Sequence, residues 1–130
     1  MANFICTNPR TIEHESNDCT VRASTIASGL PYKRVHKIYA SVGRENGKGV
    51  VMYQVVKALK KITKKDLIGY NYTYCRNYPT LSYFLKHTGK EGSWVVIKKN
   101  HAFAVKDGTV YDVMPMRGNV RIWACFKLKG

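Results

Sequence analysis

The chain has 130 residues, 45% of them apolar, which is enough for one domain around a single sizeable core. No run approaches the ~18 apolar residues that a membrane span requires, so no membrane partner is expected. Twenty-two Lys and Arg against eight Asp and Glu give a formal charge of +14, a field that favours an acidic partner and alone proves only attraction to polyanions.

Residues 1–18 are polar, contain Pro9 and show no period. They have no basic flank and no apolar stretch of signal-peptide length, so the expectation is a cytoplasmic protein with reduced thiols. Cys6, Cys19, Cys75 and Cys125 form no CxxC pair, which suits neither a zinc site nor a disulfide framework. Cys6, Cys75 and Cys125 read as small buried hydrophobes. His14, His36, His87 and His101 lie far apart, and neither a metal nor a cofactor is expected.

The segment Asn17-Asp18-Cys19 opens the first helix. Cys19, Ala23, Ile26, Ala27 and Leu30 recur at helical spacing, which places a thiol at the head of the stripe. Gly29 marks its end, and Pro31 suits the first turn of a second helix with Val35, Ile38, Tyr39 and Val42 on one face. Gly43, Gly47 and Gly49 make a loop. A third helix turns Met52, Val55, Val56, Leu59 and Ile62 inward and Lys57, Lys60, Lys61 and Lys64 outward. That lysine row is either a solvated face or a docking surface for nucleic acid or an acidic protein.

Tyr70, Tyr72 and Tyr74 alternate with Asn71 and Thr73, as in a strand whose rings pack on a core or stack on bases. Pro79 and Thr80 introduce a short helix with Leu81, Phe84 and Leu85, stopped by Gly89. Strands follow at Trp94–Ile97, at His101–Lys106 and Thr109–Val113 around an Asp107-Gly108 turn, and from Val120 to Leu128. The fold class is α+β, with N-terminal helices packed on a C-terminal antiparallel β-sheet in one domain over 1–130.

The turn permits a geometric test. With Asp107 and Gly108 as its two residues, Lys106 faces Thr109, Ala104 faces Tyr111 and Phe103 faces Asp112. Asp112 is then the diagonal neighbour of His101 on one face, roughly 7–8 Å away and within side-chain reach. A carboxylate there can hold one imidazole nitrogen as N–H and leave the other to take a proton from a thiol. Cys19 is the candidate thiol, since a helix N-terminus and an imidazolium both stabilise a thiolate. Glu13, Glu15 and Asp18 would oppose ionisation if they lay close and uncompensated.

This order of helix-head Cys, helices, then a sheet with His and Asp resembles the papain-like cysteine peptidase superfamily. Asp18-Cys19 is similar to the nucleophile segment of bacteriocin-processing peptidases, and Asn100-His101-Ala102 to a cathepsin strand. Asn17 to Ala23, Gly92 to Val96 and His101 to Asp112 together resemble small papain-like proteins of tailed bacteriophages. The resemblance implies a thiol hydrolase cleaving a peptide or isopeptide bond, with Cys19 as nucleophile, His101 as base and acid, and Asp112 as orienter. It implies a protein or peptide substrate and, in a phage, a processing peptidase or a host-directed effector. Oxyanion donors would be the Cys19 N–H with Asn17 or His14, because Glu13 stands where the family places a Gln donor. The alternative is an inactive papain-like scaffold that binds nucleic acid or an acidic host or virion protein through its basic surface.

Overall fold

The computed structural model describes residues 3–72 and 78–130, so the expectations for Thr73, Tyr74 and Cys75 fall outside the described residues. Helix α1, Cys19–Ser28, ends where Gly29 turns to φ +75° and donates its N–H to the Thr25 carbonyl at 3.0 Å. A side chain would strain that left-handed cap, so glycine stands there. Pro31 then leads into α2, Tyr32–Ser41. Helix α3, Met52–Thr63, begins where the Gln54 side chain accepts from the Val51 N–H at 3.0 Å. In α4, Leu81–Lys86, the Thr80 hydroxyl accepts from the Tyr83 N–H at 3.1 Å. The helix closes at His87 and a 3-10 turn, Thr88–Lys90, follows, so it stops short of Gly89.

The strands are β1 Asn3–Cys6, β2 Ile68–Asn71, β3 Ser93–Lys98, β4 His101–Lys106, β5 Thr109–Asp112 and β6 Ala124–Lys129. They form one sheet in the order β1-β5-β4-β3-β6-β2. Asp107 and Gly108 both sit at positive φ, +48° and +80°, as the tightest hairpin turn requires. The expected register follows, with Lys106 opposite Thr109 and Ala104 opposite Tyr111.

Two sequence expectations need correction. The lead-in contains β1, which pairs parallel to β5, so the sheet is mixed where an antiparallel one was expected. β1 is an edge strand whose residues are exposed or half-buried, so no apolar alternation marks it. The last strand starts at Ala124, not Val120. Before it, Val120 accepts from the Leu81 N–H and Ile122 donates to the Pro79 carbonyl, both at 2.9 Å, tying this stretch to the start of α4.

Helices cover both faces of the sheet. On one face Ala23 and Ala27 of α1 and Val55 and Leu59 of α3 share a core with Val95, Ala102, Ala104, Ala124, Phe126 and Leu128. On the other, Leu81, Phe84 and Leu85 of α4 meet Trp94, Val96, Phe103, Val105, Val110 and Cys125. Helix α2 packs on α1 and α3 through Tyr32, Val35 and Tyr39. Because α1 lies between α2 and the sheet, it buries Ser24, Thr25 and Ser28 as well as its apolar stripe. Ser24 and Tyr39 satisfy each other through a 2.7 Å hydroxyl pair, and Thr25 donates to the Val21 carbonyl at 2.8 Å.

The alternation in His101-Ala102-Phe103-Ala104-Val105 positions the site. Phe103 and Val105 point to α4, and the two alanines point to α1, where Ala23 and Ala27 are equally small. Small residues on both surfaces let helix and strand approach closely. The head of α1 therefore comes to the start of β4.

Candidate active site

Cys19 is the first residue of α1, and His101 is the first of β4. The His101 Nε2 and Asp112 Oδ2 lie 2.5 Å apart, the contact that the hairpin register makes possible. Asp112 is 7% exposed, and its second oxygen accepts from the Val113 N–H at 2.7 Å. The strand holding it is fixed from the far side as well, because Thr7 donates to the Asp112 carbonyl at 2.8 Å just beyond β1. With Nε2 engaged, Nδ1 is the ring nitrogen left for a thiol.

The ionisation of the pair follows from these contacts. Asp112 raises His101 most, by hydrogen bonding, Cys19 adds to this, burial opposes them, and the result is about 9. Burial is the largest influence on Cys19 and disfavours the thiolate. The His101 imidazole and the Ala102 backbone, with the His101 charge and the Thr20 hydroxyl, together outweigh it and leave Cys19 below its ordinary value. Cys125 is the contrast: burial outweighs its hydrogen bonding to the Tyr70 backbone and the Tyr72 side chain, and its thiol is pushed up to about 12. The same residue type is thus made acidic at one position and inert at another.

A proton NMR titration of His101 should show a midpoint near 9 in place of the ordinary 6.5. Asp112→Asn should lower it. Since the folded value is the higher one, the associated stability is full below pH 6.5 and is lost as pH rises through about 9. A midpoint at the ordinary value would contradict the Asp112 contact.

Two acids of the lead-in, Glu15 and Asp18, are compensated. Asp18 is fully buried, receives Arg10 through Nε at 3.0 Å and a second nitrogen at 2.5 Å, and accepts from the Tyr32 hydroxyl at 2.6 Å. Arg22 stands 3.2 Å from it. Burial weighs most on Asp18 and would raise it, yet these partners hold it below the usual carboxylate range. Glu15 accepts two bonds from Arg44 at 3.1 and 3.0 Å, one from the Gly47 N–H at 2.6 Å, and contacts His36 Nε2 at 2.6 Å. Arg44 leads in holding its carboxyl far below the ordinary value, against burial. Glu15 and Asp18 therefore present no uncompensated charge to Cys19. Glu13 is exposed and carries no cleft contact.

A cleft of about 390 Å³ opens over Cys19, floored by Val50, Met52, Ile97 and Trp123 and rimmed by Asn17 and Asn100. Asn17 donates one amide hydrogen to the Gly47 carbonyl at 2.9 Å, so it ties down the 43–49 loop, and its other amide hydrogen meets no acceptor among the described residues. His14 is exposed and is not part of the cleft wall. The Asp18 side chain makes no capping bond to the first turn of α1. The backbone N–H groups of that turn, Cys19 included, have no intrahelical acceptor.

Sequence reasoning missed Lys98, Asn100 and Trp123 in this cleft. Lys98 and Asn100 had a signal, since a two-residue turn before His101 places Lys98 directly opposite it. Cys6, expected to be buried, is exposed and donates to the Val113 carbonyl at 2.9 Å, because β1 lies at the sheet edge. Among the described residues no group of three or more His, Cys, Asp or Glu could hold a metal ion. No helix among them is long and apolar enough to cross a membrane. No protein-family model matches the chain, and no curated protein or solved structure matches it.

Proposed function

We propose that the protein is a papain-like thiol hydrolase that cleaves a peptide or isopeptide bond. The observation that carries this reading is the Asp112–His101 contact at 2.5 Å, with Cys19 acidified beside the same imidazole. The Cys19 thiolate sulfur attacks the carbonyl carbon and forms a C–S bond as the carbonyl pair moves to oxygen. The first-turn N–H of α1 supports that oxyanion. The pair returns, the C–N bond breaks, and His101 gives its proton to the departing amine. Water then gives a proton to His101 while its oxygen attacks the thioester carbon. The C–S bond breaks, the carboxylic acid leaves and Cys19 departs as thiolate. Asp112 fixes the ring and stabilises its charged form in both halves.

Incubation with an unfolded acidic protein, with new amino termini identified by mass spectrometry, tests this. Wild-type protein should generate termini that Cys19→Ala does not. Identical patterns from both would contradict hydrolysis at Cys19.

A second reading, binding of nucleic acid or an acidic protein, is supported by one observation. Lys57, Lys60 and Lys61 of α3 and Lys64 just past it are exposed, while Glu15 and Asp18 of the lead-in are buried in ion pairs. Retention on a polyanion should then fall steeply with salt, and more weakly once Lys57, Lys60 and Lys64 are neutralised. Salt-insensitive retention would count against it.

A further inference from the structure

The cleft over Cys19 does not end at His101. A second recess of about 410 Å³ lies on the Asp112 side of the imidazole, and the two share Lys98 and His101 as a common wall. The second recess is mainly apolar, formed by Val113, Met114, Met116 and Val120, with Lys98 and Arg117 at its edge. Met114 is 69% exposed and stands beside the half-buried Met116 in this lining. The carboxylate in this wall, Asp112, has its oxygens on His101 and the Val113 N–H, so it offers little to a ligand cation.

Chemistry assigns the two recesses to different halves of a substrate. The acyl half becomes bonded to Cys19 and lies on the sulfur side. The departing amine takes its proton from His101 Nδ1, at the wall the two recesses share, so the chain that follows the amine runs past the imidazole toward the second recess. An apolar side chain gains there by removing Met114 and Met116 from water. A carboxylate close behind it meets Lys98 and Arg117, whereas a lysine meets two like charges.

We propose that this recess selects the leaving half of the substrate, taking an apolar residue against Met114 and Met116 and an acidic residue against Lys98 and Arg117. The assignment rests on the hydrolase reading above. It makes Lys98 and Arg117 specificity determinants, and gives the positive field a local use at the site.

The test uses Cys19→Ala protein, which cannot turn peptides over, and two pentapeptides that begin with leucine and carry either two glutamates or two lysines next. The glutamate peptide should bind about tenfold more tightly at low salt, a difference that two partly exposed charges can supply. Lys98→Gln with Arg117→Gln should bring the two affinities together, and Met116→Asp should weaken both peptides. Lys98 and Met116 are half-buried and Arg117 is exposed, and circular dichroism checks that each variant is folded. Equal affinities in the parent, or an unchanged preference in the double variant, would overturn the proposal. Alkylation of Cys19 by iodoacetamide in wild-type protein separates the two failures. A reactive thiol without peptide preference overturns the specificity alone, and an unreactive thiol beside an intact preference supports the recess and overturns hydrolysis.

Discussion

Arg44→Ala is expected to cost about 3–5 kcal/mol of stability, because it strips the guanidinium from a buried carboxylate. Glu15 is 6% exposed and would keep only His36 and backbone donors. The sign of the pH dependence is fixed by the same contacts. Arg44 holds Glu15 below its ordinary value of 4.5, so the wild-type pair is fully stabilising above that pH and loses its contribution as pH falls through the lower folded value. In the variant, burial no longer meets a full opposing charge, and Glu15 can escape its penalty by taking a proton. The loss should therefore be large in urea unfolding near pH 7 and smaller near pH 4, and Glu15→Gln added to Arg44→Ala should recover part of it. A loss below about 1 kcal/mol at neutral pH would show that the pair does not hold the fold. Alkylation of Cys19 should slow in the same variant, since Glu15 and Asn17 both anchor the 43–49 loop just ahead of the thiol.

The second large effect concerns the thiol itself. His101→Ala should slow iodoacetamide alkylation of Cys19 on the order of tenfold near pH 6. A thiol of pKa about 8.5 is well under 1% ionised there, and removing the imidazole takes away the largest of the influences that lower Cys19. The lower basicity of a stabilised thiolate takes back part of that gain, which keeps the expected factor near ten. Asp112→Asn should give a smaller loss in the same direction. It lowers the pH below which the imidazolium persists while leaving the ring in place. If the His101 variant alkylates at the wild-type rate, the imidazole does not govern the thiol.

What could be read from the sequence follows from local rules with few alternatives. An Asp-Gly turn allows one register, and that register delivered Asp112 to His101 across eleven residues. Helical spacing delivered Cys19, Ala23 and Ala27 to one stripe, and Gly29 ended it. The unread features are those fixed by tertiary contact. Nothing in the lead-in shows that Asn3–Cys6 will find a parallel partner more than a hundred positions away. Glu15 and Arg44 stand 29 residues apart, and a loop glycine and a second-helix histidine complete their cluster. A sequence displays these charges without their pairing, so Glu15 and Asp18 looked like a penalty on the thiolate. Folded, they hold the lead-in and the loop around Cys19 with their charges met.

The pH profile of alkylation at the individual cysteines tests the central claim most directly, and the chain carries its own references. Cys6 is exposed and distant in role from His101, while Cys125 is buried and held protonated. Peptide mapping after brief iodoacetamide treatment between about pH 5 and 9 would give all three rates from one sample. With a thiolate–imidazolium pair the ratio of the Cys19 rate to the Cys6 rate climbs as pH falls, Cys125 stays unmodified, and His101→Ala abolishes the climb. A ratio that is flat with pH, or a Cys19 that lags Cys6 throughout, would contradict a thiolate–imidazolium pair at this site.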